Sequence, residues 1–273
     1  MPLCYEKIEK LFDRFLEEGF SYFDTAYTYH GYQAEKAVKK ALVDRYPREC
    51  FQLATKMPLR DFKDEEDLER IFAEQLDNCG VDYFDFYLLH NMGHNVYNKC
   101  CRYHAFDFVK KKKEEGKIKA VGMSFHDMPE LLEEILEKYG DRLDFLQLQI
   151  NYIDWEQPNV QAKKCLEIAN KYEKPMIVME PCKGGTLVNV PKEAEDLMKE
   201  YHPELSVTSW AMRFAASQQV YYNNIVLNDH GKASDCIRCG KCEQACPQHL
   251  PIREYLEKVE EKFEGGSILP VRK

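Results

Sequence analysis

Four cysteines near the C-terminal end of this 273-residue chain share one rhythm: Cys236, Cys239, Cys242 and Cys246, followed by Pro247. The spacing is C-x2-C-x2-C-x3-C-P. Thiolates set at these steps wrap an iron–sulfur cube, and the last Cys with its Pro closes or leaves the loop. Gly240 lets the backbone turn tightly around the sulfurs. The spacing therefore predicts a 4Fe–4S site. The blander alternative, a structural zinc site, usually shows two C-x-x-C pairs set well apart. In ferredoxins with two clusters the Cys before Pro ligates the other cluster, and only one such run is present here. Cys236, Cys239 and Cys242 are thus the firm ligands. Cys246 is a fourth ligand or half of a further site.

A second set of residues could move protons. Asp24, Lys56 and His90 each end a strand-like run, and Tyr29 follows Asp24 in the next loop. A buried Lys ammonium favours the phenolate of a neighbouring tyrosine. Asp24 can pair with Lys56 and keep it charged. His90 can orient a carbonyl or relay a proton. Tyr29 would then be a general acid toward an oxygen gaining negative charge. Each residue also has an ordinary use: a packed tyrosine, a loop-capping Asp, a solvated Lys, a satisfied core His. It is their arrival at three successive strand ends that points to chemistry.

Those positions require elements to hold them. Ile8, Leu11, Phe12, Phe15 and Leu16 repeat at helical spacing, and Gly19 ends that helix. Strand-like runs follow at 20–24, 51–55, 83–89, 118–123, 145–150 and 176–179. Helical stretches lie near 33–43, 65–78, 103–115, 129–138, 160–172, 192–200 and 206–217. Strict alternation of strand and helix predicts an α/β fold with a parallel sheet covered by helices. The spacing is that of a (β/α)8 barrel, the TIM barrel. Such a barrel needs eight strands and six are legible. The first and last strands are without counterpart, and pieces missing from this sequence explain that better than cryptic strands. The expected domains are a barrel over 1–219 and a ferredoxin-like tail over 220–273. That tail carries an amphipathic helix from Arg253 to Phe263.

The strand-end motifs resemble the aldo-keto reductase family. The likeness rests on Phe23-Asp-Thr-Ala-x-x-Tyr29, Ala54-Thr-Lys56, Asp85-Phe-Tyr-Leu-Leu-His90 and Gly122-Met-Ser124. It continues through Gln147-Leu-Gln-Ile-Asn-Tyr152 and Glu180-Pro-Cys-Lys-Gly-Gly185. The resemblance implies that Asp24, Tyr29, Lys56 and His90 form the family's catalytic tetrad. It implies a barrel that binds NADP(H) or NAD(H) in extended form, and no G-x-G-x-x-G run is present. Ser124 and Gln149 would hold the nicotinamide carboxamide, and Met179 would lie against the ring. Lys183, Gly184 and Gly185 would lie near the pyrophosphate. The cysteine tail is similar to that of a subgroup with a C-terminal ferredoxin-like cluster.

Composition narrows the partners. The 47 acidic against 38 basic residues leave a net charge of −9, which argues against nucleic acid. No apolar run approaches 18 residues, so no membrane span is expected. The first residues lack a basic and then apolar leader, and seven scattered cysteines do not read as a disulfide framework; a reducing cytoplasm fits. The expected function is hydride transfer between a nicotinamide cofactor and a small carbonyl or alcohol. The appended 4Fe–4S cluster would then serve a redox partner protein. The alternative is a cluster-linked electron-transfer or redox-sensing protein on a reductase scaffold. Nothing in the sequence selects the substrate, NADH or NADPH, a flavin or the oligomeric state.

Overall fold

The structure is a computed structural model, and it describes residues 4–218, 238–239, 253–254 and 256–257. Within them a parallel sheet runs in chain order, β1 (Tyr22–Asp24), β2 (Gln52–Met57), β3 (Phe84–Met92), β4 (Ile118–Phe125), β5 (Phe145–Gln149) and β6 (Met176–Met179). The helices are α1 (Tyr5–Glu17), α2 (Ala34–Val38), α3 (Asp67–Cys79), α4 (His94–Arg102), α5 (Ala105–Glu114), α6 (Pro129–Tyr139), α7 (Ala162–Lys171), α8 (Lys192–Tyr201) and α9 (Val207–Ala216). Parallel neighbours need long crossovers, and helices supply them. All six expected strands are present. Among the described residues there is no seventh or eighth, so the sheet is a half-barrel of the (β/α)8 kind.

The chain divides into two compact units. One holds residues up to Lys174 and Val178–Glu180; the other holds Pro175–Ile177 and the residues from Pro181 onward. Apart from residues 238–239, 253–254 and 256–257, the expected tail at 220–273 lies outside the described residues, as do Cys236, Cys242 and Cys246. The four described residues of the expected tail helix, Arg253, Glu254, Leu256 and Glu257, are helical. Arg238 pairs with Glu257. No helix among the described residues is long and apolar enough to cross a membrane.

Register explains why distant residues meet in the first unit. Asp24 pairs with Ala54, Lys56 with Leu88, Leu88 with Gly122, and Gly122 with Phe145. Side chains alternate across a sheet, so residues two apart on one strand share a face. Tyr22, Asp24, Lys56, Phe86, His90, Ser124, Phe145 and Gln147 therefore share the inner face. Its lower part is aromatic: Tyr22 meets Phe86 edge-on at 5.1 Å, and Phe86 meets Phe145 at 5.3 Å. Gly122 is required there, because an added Cβ would come within 2.5 Å of the Phe145 ring. The outer face is sealed by α3 and α5, where Phe72 stands 5.1 Å from Tyr87 and 5.9 Å from Phe108.

Candidate active site

Asp24 closes β1, and its carboxylate collects three donors. Lys56 Nζ donates to Oδ1, while Gln147 Nε2 and the Tyr22 hydroxyl donate to Oδ2 at 3.0 and 3.2 Å. Lys56 is 1 % exposed and also donates to the Thr25 carbonyl at 2.8 Å. Burying an ammonium is costly unless it is paired and hydrogen-bonded, and both conditions are met. Burial pushes the Tyr22 phenol well up, and the neighbouring Asp24 adds to the effect. Tyr22 is therefore a fixed donor to Asp24 rather than an acid.

Tyr29 and His90 stand over this pair. Lys56 Nζ lies 5.0 Å from the centre of the Tyr29 ring, and the Tyr29 and His90 rings meet edge-on at 5.7 Å. Among the described residues, neither the Tyr29 hydroxyl nor the His90 ring nitrogens has a hydrogen-bond partner. Burial holds the His90 imidazole down to about 3, helped by Lys56, His126 and Arg60. His90 is thus neutral at physiological pH and can donate one hydrogen bond without carrying charge.

Left-handed backbone flanks Tyr29 and His90 and follows β6. His30, Tyr32, Asn91 and Glu180 all have left-handed backbone, with φ of 50°, 66°, 57° and 53°. Non-glycine residues rarely hold that conformation, and such strain gathers at functional sites. In β3 the pairing shifts between Leu89 and Met92, a bulge that re-aims His90.

The other expected cofactor residues fall in four places. Ser124 is buried beside the site, and its Oγ accepts the Asn91 N–H at 2.8 Å. Gln149 donates to Asp154 at 2.6 Å, and Asn151 donates to the same oxygen at 2.7 Å. Gln147, which opens the Gln147-Leu-Gln-Ile-Asn-Tyr152 motif but is given no role by it, is the β5 glutamine that reaches Asp24. The pattern Phe-Leu-Gln-Leu-Gln puts both glutamines on one face and could have flagged it. Met179 ends β6, half-buried, and its carbonyl accepts Ile150 N–H at 3.3 Å. Lys183, Gly184 and Gly185 belong to the second unit. All three are left-handed, with φ of 47°, 59° and 93°, in a tight turn closed by Gly185 N–H on the Cys182 carbonyl at 3.0 Å. Of the four cluster cysteines only Cys239 is described, as an exposed free thiol. Among the described residues no three His, Cys, Asp or Glu side chains gather as a metal site.

The aldo/keto reductase family model matches residues 2–270. The chain belongs to the aldo/keto reductase family. It is accordingly an oxidoreductase, and solved members of the family share its fold. An aldo-keto reductase of Bacillus halodurans in its holo form is 21 % identical, over 80 % of this chain and 75 % of that one, with a TM-score of 0.62. The glycerol dehydrogenase of Gluconobacter oxydans is 17 % identical, over 80 % and 75 %, with a TM-score of 0.60. An aldo-keto reductase of Klebsiella pneumoniae in complex with NADPH is 20 % identical, over 75 % and 68 %, with a TM-score of 0.58. No curated protein sequence matches this reductase.

Proposed function

We propose that this aldo/keto reductase interconverts a small carbonyl compound and its alcohol with a nicotinamide dinucleotide, Tyr29 being the general acid. The observation that carries the reading is one arrangement: a buried Lys56 locked to Asp24 beside the Tyr29 ring, with a Tyr29 hydroxyl and a neutral His90 that are both unpartnered among the described residues. The residues suit a nicotinamide in their hydrogen-bonding chemistry: the Ser124 hydroxyl can donate to a carboxamide oxygen, the Gln149 amide oxygen, whose NH2 is held by Asp154, can accept from its amine, and Met179 can lie against the ring. The Klebsiella relative's complex with NADPH supports NADP(H), and NAD(H) remains the alternative. The dinucleotide, when bound, supplies or takes the hydride. Tyr29 donates its proton to the carbonyl oxygen as charge develops there. Neutral His90 donates a hydrogen bond to the same oxygen and orients it. Lys56, fixed by Asp24 and the Thr25 carbonyl, stabilises the negative charge that Tyr29 is left with. For Lys183, Gly184 and Gly185 the proposed role is a diphosphate contact, on the chemistry of that loop alone.

The test is Tyr29→Phe. Turnover should fall at least about 10²-fold with nucleotide binding kept within about twofold. A mutant that reduces carbonyls at the wild-type rate overturns the mechanism.

The proposed tail cofactor is a 4Fe–4S cluster on Cys236, Cys239, Cys242 and Cys246, serving one-electron exchange with a redox partner protein. Its support is the ligand spacing, together with an exposed and unbridged Cys239. Anaerobically purified protein should carry about four iron and four sulfide per chain. Stoichiometric zinc without sulfide would replace the cluster with a structural metal.

A further inference from the structure

The inner face of β2 carries Lys56, and the outer face of the same residues meets a buried carboxyl that the chemistry does not use. Glu35, on α2, is 1 % exposed. Its Oε1 accepts the Thr55 hydroxyl at 2.6 Å and Gln75 Nε2 at 2.8 Å, and its Oε2 accepts Asn78 Nδ2 at 3.2 Å. Gln75 Nε2 also donates to the Lys56 carbonyl at 3.1 Å. These acceptors fix which end of the amide faces β2, and the Tyr87 hydroxyl donates to Gln75 Oε1 at 2.5 Å. Thr55, Gln75 and Tyr87 are all fully buried. A π-helical turn, Lys39–Val43, continues α2 directly after the residues around Glu35. Burial pushes the Glu35 carboxyl up despite its three donors.

A buried carboxyl is expensive, and a packed apolar side chain would seal α2 on α3 more cheaply. What the carboxyl adds is direction. It holds the Thr55 side chain, and through Gln75 it holds the Lys56 carbonyl, so the two peptides that aim the ammonium are clamped from behind. Reacting groups need placement within a fraction of an ångström, and misplacement by about 1 Å costs about 10²-fold.

The geometry points to Glu35 as the positioning residue for Lys56, acting through Thr55 and Gln75. This rests on the reading of Lys56 and Tyr29 as working parts of the site.

The test uses the full chain, NADPH and p-nitrobenzaldehyde as probe. Glu35→Gln and Thr55→Val should each lower kcat about tenfold, with KM and the NADPH Kd within about twofold; Thr55→Ser, which keeps the hydroxyl, should restore kcat. In a Lys56→Met background, Glu35→Gln should cost less than about twofold more, because both act on one group. In the nucleotide-free chain, the amides of residues 55–57 should exchange about tenfold faster in Glu35→Gln, with those of β4 unchanged. Thr55→Val covers the case in which Glu35→Gln does not fold. Unchanged kcat in a folded variant, additive losses in the double mutant, or a uniform rise in exchange overturns the inference. Wild-type kcat in Lys56→Met would instead overturn the reading of the site, and the exchange pattern of β2 would still decide the clamp.

Discussion

Two acid–base pairs sit at opposite ends of one sheet, and they are built in opposite ways. At the C-terminal ends of the strands, Lys56 is buried and its partner Asp24 keeps 27 % of its side chain in solvent. At the N-terminal end of β3, the acid is inside: Asp85 is 5 % exposed, Arg48 is 25 % and Lys119 is 60 %. Asp85 accepts Arg48 and the Leu53 N–H on one oxygen and Lys119 on the other, the last two at 2.9 and 2.8 Å. The rings around it are used as well, with Arg48 4.2 Å and Lys119 4.4 Å from the centre of the Tyr83 ring. Most donors there have an acceptor close by; among the described residues the Arg48 Nε, buried without a partner, is an exception. At the other end, Tyr29 and His90 stand over the pair with polar atoms to spare. Burial of charge is common to both clusters, and the spare polar atoms differ in kind: a tyrosine hydroxyl and a neutral imidazole at one end, a guanidinium Nε at the other. In a parallel barrel, chemistry collects at the C-terminal ends and stability at the N-terminal ends.

The largest expected break is at the upper pair. Lys56→Met should lower kcat about 10³-fold, measured with NADPH and an activated aldehyde, because a charge fixed near the reacting oxygen is lost. The chain should still fold, since Asp24 keeps Gln147, Tyr22 and solvent. The lower pair should show the reverse. Asp85→Asn leaves Arg48 and the Leu53 amide facing a poorer acceptor, and should lower stability by about 2–4 kcal/mol in urea unfolding. The Lys119 arm adds little to that, because it is exposed and screened. Well below the unfolding transition, kcat should stay within about twofold. A large kcat loss from Asp85→Asn would remove the division between the two ends.

The part of this arrangement visible in the sequence is the part written in local pattern. The strands were legible because a parallel sheet buried on both faces reads as short apolar runs between turns. The tetrad was legible because strand ends are positions that can be counted. Helix α4 was not, since Gly93 at its start offers no side-chain cap and its core residues, Val96, Tyr97 and Cys100, are mixed with Asn, Lys and Arg. The extension of β3 to Met92 was missed because its bulge turns on Asn91, whose left-handed backbone is a tertiary outcome. Glu35 and Gln75 were invisible for a deeper reason. A Glu and a Gln on amphipathic helices read as solvent face, and only the approach of α2 and α3 to Thr55 makes them interior.

The smallest effect concerns protons at the upper site, and it separates the two ends by pH alone. His90 has a folded value of about 3, set first by burial and then by the positive charges of Lys56, His126 and Arg60. Unfolded, it titrates near its ordinary 6.5. Between those values the unfolded chain binds a proton that the folded chain refuses. The His90 contribution to stability is therefore fully present above about pH 6.5 and is lost as pH falls toward 3, at no more than about 1.4 kcal/mol per pH unit. Urea unfolding of wild type and His90→Gln, followed from about pH 7 down to about pH 4, should show a shallower decline in the variant. Asp85→Asn leaves His90 in place and should keep the histidine's part of that decline. Parallel slopes for wild type and His90→Gln would mean that the histidine accepts its proton in the folded state. It would then stand beside Lys56 as a second cation, and Tyr29 would be the one proton donor left with a neutral ring at the mouth of the site.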